Sequence, residues 1–250
     1  MVDSTAPRLQ KDLTGRVPPE AVRRRDFPAL PADILQRYAR IEDVAATASD
    51  AMDNLGLAGV LPASELAPQL PGARLVGQAV TVRNTERPDT VGAAAQAGKS
   101  RMGEHEAYNL AEPGNVVVIE GLAGVSNLGG QSAALAHRAG CAGAIVDGGF
   151  RDPRVSRALG FPIWSRGVTP ITGKWRLQTV EINGRVRIAG VTVEAGDLVL
   201  ADESGVAFVP YAQAHAVLQE MERIQAGDHR QQRDIAAGVD LQTLARTTYK

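Results

Sequence analysis

The stretch GAIVDGGFRD, Gly143 to Asp152, opens on small and apolar residues, passes two glycines and ends in an adjacent Arg and Asp. A short apolar run next to glycine reads as a strand covered on both faces. The strand is expected to end at Val146, with Gly148-Gly149 bending the chain so that Arg151 and Asp152 emerge together. Upstream, GNVVVIEG (Gly114 to Gly121) has the same form. Between the two lies GGQSAALAHRAG, read as a helix that starts on a double glycine and stops at Gly140. Downstream, DPRVSRALG reads as a short helix and FPIWSRGVTP as extended chain. This strand–helix–strand succession sets the fold class as α/β.

Working outward, RLVGQAVTVRN (Arg74 to Asn84) is rich in β-branched residues and reads as a strand. Ile34, Leu35, Tyr38 and Ile41 share one helical face, a further helix follows, and Gly56 is its expected stop. RPDTVGAAAQAGKSRMGEHEAYNLA is read as loop, then helix. The region TVEINGRVRIAGVTVEAGDLVLADESGVAFVP is almost all β. In it Asn183-Gly184 is a two-residue hairpin signal, and Glu203-Ser204-Gly205 separates two more strands. Near the end Val217, Leu218, Met221 and Ile224 fall on one helical face, and DHRQQRDIAAG is read as a second helix or its continuation, closing on Gly238. Residues 1–30 are polar and aperiodic, and are read as an N-terminal arm before one domain over 31–250.

The chain has 250 residues, 44% hydrophobic and 22% charged, ordinary values for a soluble globular protein. Its 27 basic and 28 acidic residues leave a net charge of -1, without the basic excess of a nucleic-acid-binding surface. The run Arg23, Arg24, Arg25 is short and read as solvated. No stretch approaches the ~18 apolar residues of a membrane span, and the N-terminus lacks the apolar core of a signal peptide. The single cysteine, Cys141, fits a reducing compartment, and a cytoplasmic location is expected. Beside the AGAIV run it reads as a buried, inert thiol.

Two glycine-marked places could carry chemistry. The first is NLGGQSAAL, Asn127 to Leu135, where a loop opens into a helix. The unpaired N–H groups of a helix start form an anion site, and glycines let a ligand approach the backbone. A plain tight turn is the competing explanation. The stretch has neither the Lys of a phosphate loop nor a GxGxxG pattern. The second is Arg151-Asp152. Asp152 before Pro153 is compatible with a helix N-cap, and Arg151 with an ordinary ion pair. Equally, Arg can clamp a carboxylate and stabilise an oxyanion, and a lone Asp suits a cation such as Mg²⁺ that keeps several waters. His105, His137, His215 and His229 form no ligand motif, and Glu104, His105 and Glu106 read as a solvated helix face.

The blocks RLVGQAVTVRN, AEPGNVVVIEG, GCAGAIVDGGFRD, GFPIWSRGVTP and VEAGDLVLADESGVAFVP occur in that order. Together, over roughly Ile41 to Gly238, the chain resembles the family that joins regulator of ribonuclease activity A to the 4-hydroxy-4-methyl-2-oxoglutarate/4-carboxy-4-hydroxy-2-oxoadipate aldolases. The resemblance implies a three-layer β/β/α swivelling domain and a homotrimer, often stacked into a hexamer. It implies that Arg151 binds substrate and stabilises a pyruvate enolate. It implies that Asp152 holds Mg²⁺ or Mn²⁺, largely through water, and that Gly129, Gly130, Gln131 and Ser132 bind the pyruvyl carboxylate through backbone amides. A carboxylate from an adjacent subunit completes such sites. Asp228 best matches that place, with Glu222 second. Two departures stand out. The aldolases usually carry an Asp twenty-one residues before the Arg, where this chain has Gly130. They also carry an acid shortly after the metal-binding Asp, where PRVSRALG has none.

The implied activity is a divalent-metal-dependent lyase that cleaves a 2-oxo acid through a pyruvate enolate, with oxaloacetate decarboxylation as a companion reaction. Decarboxylation tolerates the missing acids better, because it needs no hydroxyl deprotonation. The alternatives are a related enzyme with another substrate, and a non-catalytic regulator that binds a ribonuclease. No nucleic acid or membrane partner is expected.

Overall fold

The computed structural model describes residues 11–23 and 28–250. In chain order the helices are α1 (Ala32–Ala39), α2 (Val44–Asn54), α3 (Val91–Gln96), α4 (Glu104–Leu110), α5 (Gly130–Arg138), α6 (Pro153–Leu159), α7 (Ala214–Ala236) and α8 (Leu241–Arg246). The first six strands are β1 (Val60–Pro62), β2 (Ala67–Pro68), β3 (Leu75–Glu86), β4 (Val116–Glu120), β5 (Ser126–Leu128) and β6 (Gly143–Phe150). The rest are β7 (Ile163–Val168), β8 (Leu177–Ile182), β9 (Val186–Ile188), β10 (Val191–Val193), β11 (Leu198–Asp202) and β12 (Gly205–Val209).

The main sheet runs β1-β12-β11-β3-β4-β6-β7-β2, with β5 added to β6 and β8 to β3. β3, β4, β6 and β7 are parallel neighbours, while β11 and β12 join antiparallel. The two ends of this path, β1 and β2, are joined by the short segment 63–66, so the sheet nearly closes on itself.

Strand alternation sorts the core into layers. Val80 and Val82 of β3, Val117 and Ile119 of β4, and Ala144 and Val146 of β6 pack with α4 and α5. Their alternates Ala79, Val116, Val118 and Ile145 instead meet Val199, Ala201, Val206 and Phe208 of β11 and β12. The far face of those two strands, through Leu198, Leu200, Ala207 and Val209, is covered by α1, α2 and α7. The two packed halves of the sheet with α4 and α5 give the expected β/β/α layering, and α1, α2 and α7 add a second helical cover on the other outer face.

Several local expectations change. Asn183-Gly184 does not close a hairpin: β8 pairs with β3, and β9 turns back on β10 at Ala189-Gly190. Ala189 and Gly190 both have positive φ, 45° and 91°, as a two-residue hairpin turn demands. Asn183 does adopt positive φ, but its N–H donates to Thr81 O, a tertiary contact that sequence pattern does not show. Of the two readings of DHRQQRDIAAG, continuation of the preceding helix holds, and α7 runs unbroken to Ala236. The strand of the opening stretch does not bend away after Val146. It continues to Phe150, with an irregular register against β7 between Val146 and Gly149.

Gly148 and Gly149 permit close approach rather than a turn. A Cβ on Gly148 would sit 2.3 Å from Asn127 Nδ2, and one on Gly149 2.6 Å from the Thr169 methyl. The described part of the N-terminal arm is tied to the domain. There Val17 is buried, Lys11 Nζ donates to Ala111 O at 2.7 Å, and Thr14 N–H and Oγ1 donate to Glu106. Arg24 and Arg25 of the basic run lie outside the described residues, while Arg23 pairs with Glu181.

Candidate active site

The two glycine-marked places meet at one end of the parallel strands. β5 leads into α5, β6 leads into Arg151, and Arg151 N–H donates to Leu128 O at 3.1 Å, tying the second turn to the end of β5. β5 was not legible in the sequence, being three residues without alternation. It is held by Asn127, whose side chain closes the loop before it through Leu122 and Val125.

Asp152 occupies the N-cap position of α6 but does not cap it. Its backbone is left-handed, φ 62° and ψ 48°, and its side chain makes no bond to α6. Its Oδ2 instead accepts from Gly130 N–H at 3.0 Å. Asp152 is therefore spent on the start of α5, not on its own helix. A non-glycine residue in this conformation costs on the order of 1 kcal/mol and persists only where its surroundings enforce it. Arg151 Nε lies 3.6 Å from the same Oδ2, both side chains being about half exposed.

No side chain caps α5 from Gly129. With Gly130 N–H given to Asp152, the amides of Gln131 and Ser132 remain as helix-start donors without an intrahelical acceptor. The expected four-residue carboxylate cradle is thus divided: Gly130 positions Asp152, while the backbone donors of Gln131 and Ser132 have no acceptor among the described residues. A cleft of about 400 Å³ opens here, lined by Gly129, Gly130, Gln131, Ser132, Arg151 and Asp152.

Three further features line it that sequence reasoning missed. Arg16 enters from the N-terminal arm and Lys174 from the segment after β7, so the lining carries Arg16, Lys174 and Arg151 together with Glu104 and Asp152. Glu104 and Glu106 are not a solvated face. They are 4% and 0% exposed, one turned to Ser132 and the other covered by Thr14. The signal was the position of GEHE after a glycine, but only the packed arm and α5 make that face interior.

The expected partner carboxylates lie elsewhere in the chain. Asp228 on α7 pairs with Lys250 at 2.8 Å and borders a separate cleft with Glu42 and Thr47. Glu222 accepts two bonds from Arg37, 2.7 and 2.6 Å. Neither lines the Arg151 cleft, so a role for either there concerns a second copy of the chain. Cys141 is buried, as expected, and burial raises its thiol to about 11.

Among the described residues no group of three or more His, Cys, Asp or Glu could cage a metal. Asp152 has one oxygen engaged and a half-exposed carboxylate. That donor set fits Mg²⁺ or Mn²⁺ held by one carboxylate with water and substrate oxygens, and does not fit a structural zinc site. No helix among the described residues is long and apolar enough to cross a membrane.

The RraA-like family model, described as Aldolase/RraA, matches residues 45–208. A Halalkalibacterium halodurans protein named "Putative 4-hydroxy-4-methyl-2-oxoglutarate aldolase" is 38% identical over 136 residues, 52% of this chain and 62% of that protein. The chain therefore spans less than two thirds of that relative. An uncharacterised protein of Methanocaldococcus jannaschii is 29% identical over 193 residues, 76% of this chain and 88% of its own length. Among solved structures, an uncharacterised Pseudomonas syringae pv. tomato protein superposes with TM-score 0.73 at 26% identity, covering 88% of this chain and 100% of that one. Streptomyces coelicolor RraAS2, titled an unusual member of the RNase ES inhibitor RraA protein family, gives TM-score 0.65 at 27% identity over 84% of this chain and 98% of its own. With the family match covering most of the chain and the layered sheet shared with these structures, the chain belongs to the RraA-like, Aldolase/RraA family.

Proposed function

We propose that the cleft is the active site of a divalent-metal-dependent carbon–carbon lyase that cleaves a 2-oxo acid to a pyruvate enolate. The observation that carries this reading is the bond from Gly130 N–H to Asp152 Oδ2, which brings an Arg, a carboxylate and a helix start into one cleft. A binding surface has no need of a left-handed Asp aimed at a helix start beside an open guanidinium.

The substrate carboxylate lies on the free amides of Gln131 and Ser132, where the helix start favours an anion. Arg151 faces the 2-oxo oxygen, and its guanidinium stabilises the negative charge that grows there as the C3–C4 bond breaks. Asp152 would hold Mg²⁺ or Mn²⁺, and such a cation supplies Lewis-acid polarisation of the 2-oxo group. Arg16 and Lys174 give the cleft an excess of positive side chains suited to a substrate with a second carboxylate. The assembly expected with this reading is a trimer or hexamer in which Asp228 of one subunit approaches the cleft of the next.

The deciding experiment measures pyruvate release from a panel of 4-hydroxy-2-oxo acids and from oxaloacetate, with Mg²⁺ and with EDTA. Metal-dependent release from at least one substrate is expected. No release from any of them, together with capture of a ribonuclease by the same preparation, would replace the lyase with the regulator reading.

A further inference from the structure

The cleft holds a carboxylate for which the proposed chemistry has so far given no use. Glu104, the first residue of α4, is 4% exposed and lines the same cleft as Arg151 and Asp152. Its Oε1 accepts from Ser132 Oγ at 2.8 Å. Ser132 Oγ in turn lies 2.9 Å from Tyr108 OH. Since the Ser132 proton goes to Glu104, the Tyr108 hydroxyl donates to Ser132, and the three form a one-way relay of donors. Burial, and next the charge of Glu104, push the Tyr108 phenol well above its usual range, so it stays a donor. The other oxygen, Glu104 Oε2, is buried with no hydrogen-bond partner among the described residues.

A buried carboxylate oxygen left bare costs a few kcal/mol of lost solvation and calls for an explanation. The missing acid offers one. At position 130 a side chain cannot simply be added, because its Cβ would lie 2.9 Å from Asp152 Cβ and 2.9 Å from Val155 Cγ2. Glu104 approaches the cleft from α4 instead, two residues along α5 from Gly130, through Ser132.

Resting on the lyase reading above, we infer that Glu104 is the catalytic base and acid of this cleft, moving the proton that the family's usual position-130 acid would otherwise manage. Its carboxylate takes the proton from the C4 hydroxyl of a 4-hydroxy-2-oxo acid. The C3–C4 bond breaks, C4 becomes a carbonyl, and the bonding pair passes to C3 as the enolate of pyruvate. Glu104, now protonated, returns the proton to C3. One proton is taken and one is returned, so the products are pyruvate and a carbonyl compound with no other reagent. Ser132 is a positioning residue: it fixes Oε1 and leaves Oε2 unbonded, so that a substrate reaching Oε2 first opens the cover over it.

The test uses the full-length, Mg²⁺-loaded protein in D₂O with pyruvate, following exchange of the methyl protons by NMR, alongside retro-aldol and oxaloacetate turnover. Glu104→Gln keeps an acceptor for Ser132 and should lower methyl exchange and retro-aldol turnover by about a hundredfold or more. Oxaloacetate decarboxylation should fall less than about tenfold, because it needs no hydroxyl base. The affinity for oxalate, a planar mimic of the enolate, should not change. Glu104→Asp retains a carboxylate one methylene shorter and should exchange measurably faster than Gln. Wild-type protein that neither exchanges nor cleaves overturns the lyase reading itself. Wild-type activity with full exchange in Glu104→Gln, or with Asp no faster than Gln, overturns the role of Glu104 alone. A loss of oxalate binding equal to the loss of rate reduces Glu104 to a structural support and overturns it too.

Discussion

Gly130 is the position at which the geometry of the cleft is most exposed to a single atom. Gly130→Ala places a Cβ 2.9 Å from Asp152 Cβ, 2.9 Å from Val155 Cγ2 and 3.0 Å from Val155 Cβ. Ordinary carbon–carbon contact begins near ~3.5 Å, so α6 and Asp152 must retreat by roughly 0.6 Å. Overpacking of this kind costs about 1–3 kcal/mol. The reduced freedom of the unfolded chain returns about 0.4–1 kcal/mol, since Gly130 lacks positive φ and Ala fits its backbone. The net is a loss of about 1.5 kcal/mol, or roughly 3–6 °C in Tm for a chain of this size.

The same retreat lengthens the bond from Gly130 N–H to Asp152 and carries the carboxylate off its position. A 1 Å misplacement can cost about a hundredfold, so roughly tenfold in kcat/KM is expected here. Gly92→Ala on α3 is the control, because a Cβ there would meet nothing within 4 Å. Thermal melting and pyruvate release would be measured on both variants. A Gly130→Ala protein with wild-type Tm and turnover would falsify the argument that Asp152 is held in place by a bare backbone at 130. By the same contacts Gly130→Asp is not a simple restoration of the family's acid, because it incurs the same displacement.

Asp152→Asn should keep the fold, since Asn tolerates a left-handed backbone and can still accept from Gly130, while Mg²⁺-dependent turnover collapses; activity that persists in this variant and in EDTA would make Asp152 purely structural. Arg151→Lys keeps the charge but loses the planar fork, and should cost more than ~1.4 kcal/mol of transition-state stabilisation, read as over tenfold in kcat/KM. Light scattering at micromolar concentration should give a trimer or hexamer, whereas a monomer would exclude Asp228 from any shared site. Cys141 should resist iodoacetamide near pH 8. Because burial raises the folded pKa of the thiol from its ordinary value near 9 to about 11, the folded state holds the proton more tightly, and this contribution to stability is present below about pH 9 and lost as pH rises through 11. A Tm unaffected by Cys141→Ser between pH 9 and 11 would contradict that.

The sequence by itself determined the strand–helix–strand frame and the meeting of Arg151 with Asp152. Apolar runs such as VVVIE and glycine stops such as Gly56 are local signals, and local signals set elements. It also placed the helix start at Gly130, because a double glycine before a small-residue helix needs no tertiary partner to be read. Tertiary structure decided what each group is used for. Asn183-Gly184 has the composition of a hairpin, but pairing of β8 with β3 gave that turn another task and left the hairpin to Ala189-Gly190. Asp152 before Pro153 has the composition of a cap, but its left-handed backbone turned the carboxylate to a neighbouring helix. Glu104 reads as solvated on its own helix and is buried because α5 and the arm close over α4. Burial and hydrogen-bond partners come from segments roughly 20 to 100 residues away in the chain, and no pattern within a single element contains them.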